Sequence, residues 1–105
     1  MNLPAEQDAA EAIYALGQSD QAYARAYAAA TAAKENLKIE KAAATPDEGT
    51  VQQKEKAALT SLKYRKALDR LTECEYDKKL LELERERHHM TFEFWRSLEA
   101  SRRRT

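Results

Sequence analysis

With two glycines, two prolines and one cysteine in 105 residues, the chain has little from which to build tight turns, cross-links or a metal cage. A lone cysteine, Cys74, excludes an internal disulfide and fits a reducing compartment. Two isolated glycines, Gly17 and Gly49, cannot form a phosphate-cradling loop, and no nucleophile elbow is present. His88 and His89 are adjacent, so on a helix they diverge by about 100° and do not converge on one ion. Cys74 stands two heptads from His88, which is not a zinc-ligand spacing. Carboxylates abound, but exposed helices offer no enclosed pocket to raise a pKa. No apolar run approaches the ~18 residues of a membrane span, and Met1-Asn2-Leu3-Pro4 carries neither a basic nor an apolar leader. An excess of one charge is also missing. The 18 basic and 18 acidic side chains cancel, so no whole-molecule field draws the chain to a polyanion. These absences predict no catalytic residue, no cofactor, no metal site and no small-molecule substrate. The expectation is a soluble, cytoplasmic protein that is not an enzyme and works by binding.

What is present is helix-forming sequence. The apolar fraction is 43%, much of it alanine, too lean for a broad core but sufficient for a helix–helix seam. Pro4 suits the first turn of a helix, and Glu6, Asp8 and Glu11 favour the positive end of its dipole. Between Pro4 and Ala44 the alanine content alone argues for helix. A seam with heptad spacing runs through Ile13, Leu16, Asp20, Tyr23, Tyr27, Ala30, Lys34, Leu37, Lys41 and Ala44. Thr45-Pro46-Asp47-Glu48-Gly49-Thr50 is the one strong break, and Thr50 with Gln53 can form a capping box opening the next helix. That second helix is predicted from Val51 to Ser101. Ala67, Cys74, Leu81, His88 and Trp95 make one heptad track, and Tyr64, Leu71, Lys78, Arg85 and Phe92 make its companion. Leu80, Leu83 and Met90 fall off both, which points to a second packing surface and to another copy of the chain as its occupant. Cys74 and His88 read as seam residues, His89 as a solvated one.

The predicted fold is therefore all-α: one domain, 1–105, forming a long antiparallel two-helix hairpin of coiled-coil type that self-associates. Helix 4–44, turn 45–50 and helix 51–101 are its parts, and the second helix is longer than the first. At ~1.5 Å per residue the helices measure about 60 and 75 Å. Pairing outward from the turn places residue 91 opposite Pro4, so 92–105 overhangs.

The overhang holds the tryptophan and both phenylalanines. Phe92, Trp95 and Leu98 share a face, while Arg96, Arg102, Arg103 and Arg104 against Glu93 and Glu99 make the segment basic. Two readings stand side by side. In one, the aromatic residues pack in a dimer or against the first helix, and the arginines merely complement the helix dipole. In the other, Phe92, Trp95, Arg96, Leu98, Arg102, Arg103 and Arg104 form a partner-binding head, since tryptophan and arginine are enriched at interface hot spots. For nucleic acid, Trp95 would stack on a base and the arginines would contact phosphates. Charge is also divided along the chain. Residues 1–50 are net acidic and 51–105 net basic, which favours association along the flanks of an antiparallel pair.

The tail Phe94-Trp95-Arg96-Ser97-Leu98-Glu99-Ala100-Ser101-Arg102-Arg103, about a tenth of the chain, resembles the ending of a group of small helical bacteriophage and prophage proteins. These have alanine- and lysine-rich bodies and are encoded near single-strand annealing, exonuclease or single-strand-binding genes. The resemblance implies an accessory protein of phage recombination or replication, acting in the bacterial host without enzyme activity. Trp95, Arg96, Arg102 and Arg103 are the positions it carries over. Its partner would be DNA or a DNA-processing protein. The alternatives are an inhibitor of a host protein, including a defence nuclease, and a purely structural coiled-coil module.

Overall fold

The computed structural model describes residues 4–104, Pro4 by its backbone alone. The ends of the expected domain, 1–3 and 105, lie outside the described residues. The chain is all-α: α1 (Pro4–Ala44), α2 (Val51–Thr60) and α3 (Leu62–Arg104), with no strand among the described residues.

The break at 45–50 falls where proline and glycine place it. Gly49 adopts φ 121°, a conformation that favours glycine. Thr50 then caps α2. The Gln53 amide donates to the Thr50 hydroxyl at 3.2 Å, and the Thr50 amide donates to the Gln53 side-chain oxygen at 3.0 Å. This is the capping box expected from the spacing.

The uninterrupted second helix predicted from Val51 is corrected. Ser61 is extended, at φ −62° and ψ 134°, and separates α2 from α3. Its N–H still reaches the Ala58 carbonyl at 3.3 Å, while its own carbonyl accepts from Arg65 at 3.0 Å. Its hydroxyl accepts from the Tyr64 amide at 3.4 Å. Serine thus ends one helix and caps the next, a task for which its short hydroxyl side chain is suited.

The chain divides into two compact units, and α1 and α3 each give a segment to both. The first joins the chain up to Ala24 with the chain from Lys79 onward. Here Arg85 bonds to Leu16, Ser19 and Asp20, and Tyr23 donates to Glu82, so the segments run antiparallel. The second comprises Arg25–Lys78. Its core is Ala30, Ala33 and Cys74, with Ala29 and Leu71 packed against them. Lys78 lies over the Tyr27 ring at 4.6 Å, and Lys41 of α1 pairs with Glu55 of α2 at 3.3 Å.

Both heptad tracks predicted on α3 occupy its packed side, every member buried or half-buried. On α1 only half the predicted seam is kept. Leu16, Tyr23, Ala30, Leu37 and Ala44 face inward, but their companions are Ala12, Ser19, Ala26, Ala33 and Glu40. The expected companions Ile13, Asp20, Tyr27 and Lys34 are exposed, and Lys41 is half-buried. The physical reason lies in size and charge. Small side chains on the inner track let the backbones approach, and they leave Asp20 and Lys34 solvated. Large groups on α3 then cover alanines on α1.

Candidate partner-binding surface

Register determines what the C-terminal segment of α3 can do. In the first unit Arg85 meets Ser19, Glu82 meets Tyr23, and His88 and Thr91 share a recess with Asp8, Glu11, Ala12 and Ala15. Extending this pairing along both helices brings Pro4 level with a position near 100, not 91. The predicted overhang of 92–105 is thereby shortened to the last turn of α3. The cause is the break at Ser61, across which the register shifts. Lys41 of α1 pairs with Glu55 of α2, whereas beyond the break Ala30 and Ala33 pack with Cys74 of α3, so counting straight outward from the turn falls short.

Burial agrees with that register. Ala9 and Ala12 are each only 3% exposed, and in this unit α3 is the element available to cover them. Phe92 and Trp95, the large aromatic groups at that level, are half-buried, with ring centroids 5.9 Å apart and planes at 29°. The Trp95 Nε1–H is buried and meets no acceptor among the described residues. A ring held in this way is not a free platform for stacking on a base. Leu98 is half-buried on the same side.

The arginines divide. Arg96 donates to Glu93 at 3.3 Å and Arg102 to Glu99 at 2.9 Å, both pairs one turn apart on the helix surface. Arg103 and Arg104 are exposed in the last turn and make no ion pair among the described residues. The seven predicted residues therefore do not form one cluster. Phe92, Trp95 and Leu98 lie toward α1, while Arg96 and Arg102–Arg104 are spread around the helix end.

A different set of side chains is displayed outward. Leu80, Leu83, Met90 and Phe94 are 49, 43, 69 and 64% exposed, and with Arg87 they recur at alternating three- and four-residue steps. At ~100° per residue this stripe lies roughly 160° round α3 from the seam. Leu80, Leu83, Glu86, Arg87 and Met90 line a shallow recess of about 330 Å³ on it. The first three apolar members stand out in the sequence as off-track; Phe94 was hidden among its aromatic neighbours.

A larger recess of about 460 Å³ lies at Leu16, Tyr23, Glu82, Arg85, Glu86 and His89. It is open; within its lining Tyr23 donates to Glu82 at 3.0 Å, and Arg85 pairs with the neighbouring Asp20 at 2.8 Å. Cys74 is buried among alanine and leucine, and His88 is half-buried while His89 is exposed. Among the described residues no group of three or more His, Cys, Asp or Glu is placed to hold a metal ion. No described helix is long and apolar enough to cross a membrane. In comparisons with known proteins, no family model, no curated protein and no solved structure matches the chain.

Proposed function

We propose that the chain is a non-enzymatic accessory protein of the phage or prophage kind that its tail resembles, acting through protein–protein contact. In this reading α1 and α3 form the long antiparallel hairpin expected from the sequence, the hairpin self-associates, and α3 engages a DNA-processing protein of the host cytoplasm. The observation that carries it is the apolar stripe Leu80, Leu83, Met90 and Phe94, turned away from the helix that packs on α3. Exposed apolar groups in a row, bordered by charge, are the usual mark of an interaction face. Arg96 and Arg102–Arg104 then serve as a basic rim. Phe92, Trp95 and Leu98 act indirectly, by holding α3 straight against α1.

Direct DNA binding is the second reading, favoured by the exposed Arg103 and Arg104 in the last helical turn. The two separate cleanly. Capture from bacterial lysate on immobilised full-length chain, followed by identification of the captured protein, should give a DNA-processing protein that Met90→Glu loses. Labelled single- and double-stranded DNA at low salt should bind weakly or not at all. If DNA binds tightly and the triple change R102E/R103E/R104E abolishes it, the protein-contact reading is replaced by the nucleic-acid one.

A further inference from the structure

Between α2 and α3 the helix stops where nothing in the sequence forbids it to continue. Leu59-Thr60-Ser61-Leu62-Lys63 contains neither proline nor glycine, and the spacing alone predicts one helix from Val51 to Ser101. We infer that Ser61 is a hinge and α2 a conformational latch. In the second arrangement α2 leaves α1 and joins α3 as one helix, and the chain exchanges between the two.

The bonds on the two sides nearly balance. In a continuous helix the amides of Leu62, Lys63 and Tyr64 would donate to the carbonyls of Ala58, Leu59 and Thr60. With Ser61 extended, its own amide takes the Ala58 carbonyl at 3.3 Å, and the Tyr64 amide turns to the Ser61 hydroxyl at 3.4 Å. The break thus gives up the helical bonds of Leu62 and Lys63. What α2 gains against the rest of its unit is small. Ala58, 1% exposed, is its buried residue, with Lys54 and Ala57 half-buried on the same face. Lys41 and Glu55 pair at 3.3 Å with side chains 45 and 54% exposed, so solvent screens them. Val51, Leu59 and Leu62, the larger apolar groups here, are 83, 41 and 67% exposed. An alanine face and one screened pair set against two backbone bonds lie close to balance. Ser61 tips it, because its hydroxyl caps α3 in a bond that a continuous helix does not use.

Chain geometry admits the second arrangement. Ala30 packs with Cys74, and carrying that level to the end of α1 sets Ala44 beside about residue 60. A continuous helix would put Val51 roughly 15 Å beyond that level and roughly 8–10 Å to the side. The linker 45–50 spans up to ~20 Å when extended. α2 carries its own start, the Thr50–Gln53 box, and needs no new cap when it moves. At ~100° per residue, Ala58 then shares a face with Val51 and Leu62, opposite Ala67 and Cys74. Docking covers Ala58, and release uncovers it.

Pulsed electron paramagnetic resonance on the full chain reads the two arrangements, with spin labels on Asn36→Cys and Gln52→Cys and with Cys74→Ala. The released form adds a second distance, roughly 10 Å longer than the docked one. Ser61→Ala removes the cap and favours helix, so the longer distance should gain about tenfold in population. Leu62→Pro does the reverse. The ring suits the first position of α3, the residue before a proline prefers the extended state that Ser61 has, and the amide needed by a continuous helix is gone. Only the shorter distance should remain. Ala58→Glu, disfavoured in the docked form alone, gives an independent shift toward the longer distance, with helicity by circular dichroism kept. A single short distance that neither Ser61→Ala nor Ala58→Glu lengthens would overturn the proposal. So would a longer distance that survives Leu62→Pro, because it could not come from joining α2 to α3.

Discussion

Replacing Arg85 by alanine should cost the fold about 2 kcal/mol, and the sum can be built from its contacts. One guanidinium nitrogen, Nη1, lies 2.8 Å from the Ser19 hydroxyl, 2.8 Å from an Asp20 carboxylate oxygen and 3.1 Å from the Leu16 carbonyl. The same guanidinium lies 5.2 Å from the Tyr23 ring centroid. A hydrogen bond from a charged donor contributes ~1.5–3 kcal/mol. The cation–ring contact adds ~0.5–1 kcal/mol at an exposed site. These do not simply add, because one nitrogen has two hydrogens for three acceptors. The Asp20 pair adds little: the Asp20 side chain is 66% exposed against 27% for Arg85, so solvent screens it to below ~1 kcal/mol. Nor does removal strand an acceptor, since the Ser19 hydroxyl already donates to the Leu16 carbonyl at 3.0 Å. Arg85→Met, which keeps the apolar stem over the ring, should therefore lose only about half as much, ~1 kcal/mol.

Urea unfolding followed by circular dichroism measures both losses, and a double-mutant cycle with Ser19→Ala isolates the bond. A coupling of roughly 0.5–1 kcal/mol is expected between Ser19 and Arg85. Asp20→Ala should cost less than either arginine change and lose its effect in high salt. If Arg85→Ala shifts stability by less than ~0.5 kcal/mol, or Ser19 and Arg85 prove additive, the reasoning that this seam arginine holds the pair in register fails.

Gly17 lies in the interior of α1 with nothing within 4 Å of a built Cβ, so Gly17→Ala should raise stability by ~0.5–1 kcal/mol in the same urea assay. Gly49→Ala should do the reverse, by ~1 kcal/mol or more: its φ is +121°, and the new Cβ would lie 3.0 Å from the Gln53 oxygen that caps α2. Trp95→Phe should be neutral or slightly stabilising because it deletes a buried N–H with no acceptor among the described residues, whereas Trp95→Ala should cost ~3 kcal/mol by removing a half-buried ring that packs against Phe92. Thermal unfolding of the two tryptophan variants decides this, and an equal loss in both would mean the indole N–H has a partner.

Much of this was legible because local rules sufficed. Pro46, Gly49, Thr50 and Gln53 define the break and the cap within a few residues of sequence. The α3 tracks were readable because Leu71, Leu81, Phe92 and Trp95 mark the face by bulk. On α1 the same rule misled. In a helix crowded with alanine, the largest apolar groups suggest the seam, yet close approach selects the smallest, so Ile13 and Tyr27 yield to Ala12 and Ala26. Ser61 was invisible for another reason. A helix break without proline or glycine is set by what the flanking segments pack against, and Thr60-Ser61 alone carries only a weak capping preference. The misplaced overhang follows from that one missed residue, because counting from a turn assumes an unbroken strut. Arg85 entered the sequence reading only as a spacing position in the companion track, and the structure gives it bonds to Leu16, Ser19 and Asp20.

The alanine seam and the outward stripe are two consequences of one choice. Every buried side chain among the described residues is alanine or cysteine, and none of the large apolar side chains is fully buried. A buried methyl contributes only ~0.8 kcal/mol, against ~1.5–3 kcal/mol for a leucine or phenylalanine. Close packing thus gives α1 and α3 a defined register but modest stability within one copy. The apolar groups that could supply more, Leu80, Leu83, Met90 and Phe94, are kept on the other side of α3. An occupant of that face stabilises the fold by mass action, in proportion to its concentration over its dissociation constant. The midpoint of thermal unfolding should accordingly rise with protein concentration in the parent chain and stay flat in Leu83→Arg. A midpoint independent of concentration in both would mean that the register bonds around Arg85 suffice, and that the outward stripe contributes nothing to folding.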